Sequence, residues 1–591
     1  MAASSSGIGS GSNVVTLKAL ASYLRHETLP AQSDINEPSS ISTIPVEILL
    51  RIFEFVAYTE KPNIRNLGWI RVSHICRLWR HAALACPSLW ANICTSIGPK
   101  WTEEMFRRSS CVHLDIDNQS SDRLTDQILS HHLQLPDTMC NVRSLNLAAT
   151  CNILHNIRIP APSLCTLTID APSVQRIEDV LALPWDLFAS HAPKLRHASF
   201  SYCRIPWESP IFNDNLSTLL VGPGSFRGEV ADNLPFSSLC GLLERTPSLE
   251  VLDVCIMLPG IRHSPPLSTD GGHVNPVALP QLKNIKLTGR IAECVRLLRR
   301  ITLPATTHTN LTCGSLSDNV LSLHDVTPFL VDRIEDVYRN MPIRGLSIHC
   351  NLTRRKNASV RISLSVSIPI SGMADMAHHA FLLKFAFPQA SQIFELLKDL
   401  CQALPPQHVN DLLVLDFSGC ESTAFEDSLW VDLFWEMRNV RRLEVSSLST
   451  LAIPTPYSRC LIPLDITRRV ENEQVMTGSD HELDGTEGSS PVPIFPALQS
   501  LTISSVQLPD AKNTDPVLRF CEKLAWVVEF RKSMGVPLQE LNVVFYDPTR
   551  WFAAGFLETP TFDVVKKRLE KSVSKVIFSD SVHKLSYIYR S

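Results

Sequence analysis

Residues 44–56 and 67–93 read IPVEILLRIFEFV and LGWIRVSHICRLWRHAALACPSLWANI, two amphipathic stretches separated by a loop. The first opens on Pro45, whose fixed φ and missing N–H suit a helix start. Glu47 follows in the first turn, where the helix dipole favours a negative charge. Ile48, Leu49, Ile52, Phe53 and Val56 recur at helical spacing. The second stretch places Val72, Cys76, Trp79 and Ala83 on one stripe of a second helix, with Arg71, Arg77 and Arg80 off it. A tryptophan-bearing segment, Pro87-Ser88-Leu89-Trp90, closes the pair.

Outward from this stretch, 591 residues are enough for two or more ordinary domains or one elongated array. Hydrophobic residues make up 44% and charged residues 19%, the balance of a folded, soluble chain. The net charge of −4 offers no global attraction to nucleic acid or an anionic membrane. With 22 glycines against 40 prolines, the composition disfavours glycine-rich phosphate loops and favours short, proline-punctuated connections. The first residues lack a basic flank and apolar run, and no apolar run reaches the length of a bilayer span. The 17 cysteines form no C-x-x-C pair, so free thiols in a reducing compartment, cytosol or nucleus, are expected.

After residue 100 one phrase returns, a loose Φ-x-x-Φ-x-Φ with a proline just before it. Pro162 introduces Leu164/Leu167/Ile169, Pro193 introduces Leu195/Ala198/Phe200, and Pro247 introduces Leu249/Leu252/Val254. Pro280, Pro496 and Pro537 open further copies, while those at Val142, Leu216, Leu412 and Val440 lack the proline. Another runs from Ile343 to Ile348. Alternate apolar residues mark half-buried strands, and about ten copies mark a repeat. Helical stretches over Arg123–Leu133, Glu293–Arg300, Val331–Arg339, Ala390–Leu404 and Trp526–Met534 are expected to cover one side. Arg262–Pro276 and the acidic Glu471–Pro493 read as loops, with Ser489 and Ser490 beside Pro491 as candidate phosphorylation sites. Ahead of residue 41, Leu17, Leu20, Ala21 and Leu24 form one short apolar stripe.

The sequence carries no nucleophile elbow, zinc-protease pair or Walker loop. Gly7-Ile-Gly9 follows no strand, and Gly222-Pro-Gly224 reads as a turn. His131-His132 and His378-His379 are adjacent pairs that diverge on a helix. Asp115 and Asp117 start like a calcium loop but lack its glycine and closing glutamate. Arg299-Arg300, Arg354-Arg355-Lys356 and Arg441-Arg442 are separate basic clusters that read as solvated faces. No catalytic residue, metal site or cofactor is expected, and neither nucleic acid nor membrane is an expected partner.

Ile44-Pro45-x-Glu47-Ile48-Leu49-x-x-Ile52-Phe53, Val72-Ser73-x-x-Cys76-Arg77-x-Trp79-Arg80 and Pro87-Ser88-Leu89-Trp90 together resemble an F-box, especially those of fungal F-box families. Ile44 stands where leucine is commoner, and the loop Thr59–Gly68 is long. The later phrases resemble leucine-rich repeats, with Cys203, Cys420 and Asn351 at the position where that repeat prefers Asn or Cys. The implied fold is α/β. A flexible leader with one short helix spans 1–40 and a small all-α F-box 41–95. An irregular leucine-rich-repeat-like solenoid with a curved parallel sheet and outer helices spans 100–575, and a tail spans 576–591.

The resemblance implies the substrate-recognition subunit of an SCF-type ubiquitin ligase. Such a subunit binds a Skp-type adaptor and, through it, cullin, while the repeats hold a target protein. By position, Ile44, Pro45, Ile48, Leu49 and Ile52 would meet the adaptor. Phe53, Val72, Cys76, Trp79 and Trp90 would form the module's own core. The alternative is a non-degradative interaction scaffold whose F-box recruits no cullin.

Overall fold

A computed structural model describes residues 44–109, 112–118, 122–148, 153, 157–171, 181–223, 236–256, 276–289, 291–313, 331–332, 335, 344–352, 358–365, 379–387, 412–417, 437–446, 495–507, 515–546 and 559–580. They form two compact units, one running to residue 259 with 277–281, the other made of 260–276 and everything from 282 onward.

The first unit begins with helices. Helix α1 spans Val46–Thr59, with Pro45 at the N-cap, one residue before the helix instead of at its first position. The Pro45 carbonyl accepts from the Ile48 and Leu49 amides, at 3.0 Å each. A 3-10 turn, Gly68–His74, precedes helix α2, Arg77–Leu84. The single helix expected from Val72 to Ala83 is therefore broken. Cys76 adopts an extended backbone as N-cap of α2, and its Sγ accepts from the Trp79 amide. A second 3-10 turn, Pro87–Trp90, leads into strand β1, Asn92–Cys94.

Among the described residues of this unit, six further strands continue the main sheet: β2 Leu114–Asn118, β3 Val142–Ala148, β4 Thr166–Asp170, β5 His197–Ser201, β6 Thr218–Val221 and β7 Val251–Ile256. Each pairs in parallel with the next. Register puts Leu145, Leu167, Ala198, Leu219 and Leu252 side by side, and Leu147, Ile169, Phe200, Val221 and Val254 beside them. All ten are buried, and each large apolar side chain removed from water stabilises the sheet by about 1.5–3 kcal/mol. Helices Pro99–Arg108 (α3) and Arg123–Leu133 (α4) contribute Met105, Leu129 and Leu133 to the core. Helix α4 has the bounds read from sequence, because Asp122 caps it by accepting from the Thr125 amide at 3.1 Å.

The recurrent proline has a local cause. In Ala161-Pro162-Ser163-Leu164 the Leu164 amide donates to the Ala161 carbonyl, closing a β-turn with proline at its second position. Ala192–Leu195, Thr246–Leu249 and Phe495–Leu498 repeat that turn, and Asn213–Leu216 and Met437–Val440 make it without proline. Proline is pre-set for that position and lacks only an N–H that the turn does not use. After several of these turns one carbonyl accepts from two successive amides at the next strand's start. Cys165 serves Arg196 and His197, Arg196 serves Ser217 and Thr218, and Ser217 serves Glu250 and Val251. Both lone pairs of each carbonyl are thereby used.

The second unit departs from the expected all-parallel sheet. Its strands β8 Asn284–Gly289, β9 His308–Cys313, β10 Gly345–Leu352, β11 Ala358–Ser365 and β12 His379–Phe387 run in spatial order β8, β9, β12, β11, β10. The pairs β10–β11 and β11–β12 are antiparallel, a meander set between parallel neighbours. Period-2 alternation does not encode strand direction, so the phrase could not reveal it. From β10 the parallel order resumes through β13 Val414–Phe417, β14 Arg442–Ser446, β15 Ser500–Gln507, β16 Glu540–Tyr546 and β17 Lys575–Asp580. Strand β17 corrects the tail expected from residue 576.

Helices Ile291–Arg299 and Asp515–Ser533 overlap the expected stretches Glu293–Arg300 and Trp526–Met534, each beginning earlier and ending one residue sooner. Arg531 in the second of these is fully buried, and its guanidinium donates to the Phe495 carbonyl at 2.8 Å, at the head of a proline turn. Burial pulls its pKa down to about 10, so it stays charged at neutral pH. The leader helix, the stretches Ala390–Leu404 and Glu471–Pro493 with Ser489 and Ser490, the triplet Arg354–Lys356, Cys420, six of the nine residues of Val331–Arg339 and all but the last residue of Arg262–Pro276 lie outside the described residues. Asp115 and Asp117 lie on strand β2 and not in a loop, with Asp117 accepting from Asn146 Nδ2 at 2.9 Å. No described helix is long and apolar enough to cross a membrane.

Candidate functional site

Helix α1 is apolar on two opposite sides. Leu49, Leu50, Phe53 and Ala57 face inward and are buried. Ile48, Ile52 and Phe55 fall on the opposite side, within an arc of about 60° at 100° per residue. They are 54%, 42% and 69% exposed, and Tyr58 and Pro45 beside them are exposed as well. Ile75, just after the 3-10 turn and before α2, adds a further exposed apolar side chain. A helix apolar all round belongs inside a structure, yet this one has only half its circumference covered. Scattered exposed apolar residues need no explanation, but a continuous stripe on one helix marks an interaction surface.

The inward face meets an aromatic core. Phe53 packs edge-on against Trp79 with ring centroids 5.1 Å apart, and Trp69 against Trp90 at 5.0 Å. The Trp90 indole donates to the Ala83 carbonyl at 2.8 Å, so its polar atom is satisfied in the interior. Arg108 of α3 lies over the same indole ring, 4.9 Å from its centroid. The F-box-like stretch thus continues without a linker into the first strand, with Ile93 fully buried and Thr95 Oγ1 donating to Asn118 Oδ1 at 2.7 Å.

Two of the sequence assignments need correction. Leu49, expected on the partner face, is 1% exposed and belongs to the core, because the buried arc is centred near Phe53 and not near Ile48. Cys76, expected in the core, is exposed, because the chain unwinds there to cap α2. Pro45, Ile48 and Ile52 are exposed and Ile44 half-buried. Phe53, Val72 and Trp90 are buried, and Trp79 is half-buried. Sequence reasoning missed Phe55, Tyr58 and Ile75 on the outer side and Trp69 within. Helical spacing from Ile48 and Ile52 to Phe55 was the available signal.

The long loop after α1 is closed by local bonds. Asn63 and Asn66 exchange backbone hydrogen bonds at 2.8 and 3.0 Å, and Asn66 Oδ1 accepts from the Gly68 amide. Gly68 has φ +54°, and a Cβ there would overlap the Glu60 carbonyl oxygen and stand 2.8 Å from Lys61 C and Pro62 N. Gly68→Ala is expected to cost about 1–3 kcal/mol, since a strained φ and a backbone clash combine. A lowered denaturation midpoint checks it; an unchanged one contradicts the geometry.

A pH dependence follows at the base of the module. Arg107 Nε donates to Glu104 Oε2 at 2.7 Å, and Arg108 bonds the other carboxylate oxygen. The Arg107 bond first, helped by Arg108, holds the Glu104 carboxyl down at about 2 against an ordinary 4.5. A depressed carboxylate stabilises the fold at pH above its unfolded value and loses that effect as pH falls through the folded one. Stability curves of wild type and Glu104→Gln should therefore differ at neutral pH and converge between about 4.5 and 2. Parallel curves throughout that window would refute the assignment.

No curated protein matches the chain. Residues 41–96, about a tenth of its length, match the family described as F-box-like, so the helical module at the head of the first unit is an F-box-like domain.

Proposed function

We propose that this protein is the substrate-recognition subunit of an SCF-type ubiquitin ligase, acting from the cytosol or nucleus. The observation that carries the reading is the exposed outer apolar stripe of α1, Ile48, Ile52 and Phe55, set on the F-box-like domain. This stripe, with Pro45 and Tyr58, is the docking face for a Skp-type adaptor, through which cullin is recruited. The strand ladders, read as leucine-rich-repeat-like units, hold the target protein. The recurring turn, often with proline, and the doubly accepting carbonyl support that reading, since both return at several register steps. The protein performs no chemistry itself. It raises the local concentration of its target beside a ubiquitin-carrying enzyme.

Affinity purification under proteasome inhibition, followed by mass spectrometry, tests the proposal. Adaptor and cullin are expected together with proteins that accumulate when the ligase is blocked. Adaptor without cullin would favour the non-degradative scaffold, which uses the same stripe. Neither adaptor nor cullin would overturn the reading.

A further inference from the structure

The ladder of the second unit ends on β17, Lys575–Asp580, which among the described residues pairs with β16 alone. The Lys575 amide donates to the Gln539 carbonyl at 2.9 Å, so alternate backbone groups of β17 turn toward β16. The N–H and C=O groups of Val576, Phe578 and Asp580 therefore point to the outer edge. Burial thins out at the same place. Leu541 and Val543 of β16 are fully buried, whereas Val576 and Phe578, their partners in register, are only half-buried. Phe578 meets the rings of Phe545 and Phe562, with centroids 6.2 and 4.9 Å away, and is still not sealed. The end strand of the first unit is held differently. Cys94 Sγ of β1 and Ser96 Oγ beyond it both donate to the Pro62 carbonyl, so the loop after α1 lies against it. A strand edge with half-covered apolar side chains invites pairing with another strand, and the last unit of a stacked array needs a cap.

We infer that the chain closes this edge itself, with residues 585–590 adding to β17 as an antiparallel strand. The sequence after Asp580, SVHKLSYIYRS, lies outside the described residues and supplies the match. A four-residue loop, Ser581–Lys584, is a common hairpin connection. It sets Leu585 opposite Asp580, Tyr587 opposite Phe578 and Tyr589 opposite Val576, the three positions whose backbone groups point outward. On the other face Ser586 meets Ser579 and Ile588 meets Ile577. Aromatic–aromatic and aromatic–β-branched pairs are among the stabilising pairs across antiparallel strands. Shortening the loop by one residue would put Ser586 opposite Phe578 and turn both tyrosines to the other face. The half-buried Val576 and Phe578 thus select one register. Closure of this edge is independent of what the F-box-like domain docks.

Hydrogen–deuterium exchange of the full chain, read by mass spectrometry on the peptide spanning β17, tests the closure. All amides of that peptide are expected to exchange slowly. In a variant ending at Lys584, and in Tyr587→Asp combined with Tyr589→Asp, exchange there should quicken by about tenfold or more, as edge hydrogen bonds to a closing strand are lost. Ser586→Asp, on the opposite face, should keep β17 slow. Peptides from β14 and β15 should be unchanged in every variant, which shows that the rest of the unit stays folded. Where the truncation loosens those peptides as well, the tyrosine variant decides. Equal exchange of β17 in all the proteins, or an effect of Ser586→Asp as large as that of the tyrosine variant, would overturn the proposal. Fast exchange of β17 in the full chain would do the same and leave the edge for another protein. Protection that rises with the concentration of the full chain would also overturn it, by giving the edge to a second copy.

Discussion

Ile48→Asp combined with Ile52→Asp is expected to abolish capture of a Skp-type adaptor while leaving the chain folded. Both side chains lie on the outer arc of α1, 54% and 42% exposed, so neither replacement opens a cavity in the aromatic core. At the centre of a docking face, loss of an apolar anchor commonly costs about 2 kcal/mol or more, and two anchors replaced by charges cost correspondingly more. Since 1.4 kcal/mol is a factor of ten, affinity should fall by at least about a hundredfold. Phe55→Ala should give a smaller loss in the same direction. The measurement is co-purification of adaptor with full-length variants, alongside thermal unfolding to show that the fold persists. Capture at the wild-type level by the double variant would remove the stripe from the interface.

The second large effect has the opposite character. Leu49→Asp places a carboxylate at a position only 1% exposed, in the buried arc with Leu50 and Phe53. Truncating a buried leucine costs about 2–5 kcal/mol. An unpaired buried charge adds a desolvation penalty. The F-box-like domain should unfold, and adaptor capture should fail as a consequence. Proteolysis separates the two causes of failure. Leu49→Asp should expose new cleavage sites within residues 44–96, whereas the Ile48/Ile52 variant should be cleaved like wild type. Resistance of Leu49→Asp to cleavage would mean that Leu49 is not part of the core.

These two neighbours show how far local pattern reaches. Spacing alone identified an amphipathic helix after Pro45, but Ile48 and Leu49 are both large, apolar and adjacent on it. Which of them turns inward depends on where Trp69, Trp79 and Trp90 stand, more than fifteen residues away. Cys76 illustrates the same limit. Its position on a helical stripe was legible, and the unwinding that exposes it was not, because a cap and a helical residue differ only in backbone angles.

In the ladders, by contrast, the pattern was local and therefore readable. A proline turn followed by alternating leucines needs only its own residues to bend and extend, and the register brought the anchors Leu145, Leu167, Ala198, Leu219 and Leu252 into one row. The strands Ala358–Ser365 and His379–Phe387 are not among the phrases read from the sequence, and their antiparallel course escaped notice.

The chain by itself determined the elements whose signals are contiguous: the helix after Pro45, the F-box-like order of motifs, and the turn-and-strand phrase. Tertiary structure decided the rest: the split of α1 into a core side and an outer side, and the direction of the inserted strands. Contiguous signals act through hydrogen bonds a few residues long. Burial and side-chain convergence depend on which distant segments come to lie alongside.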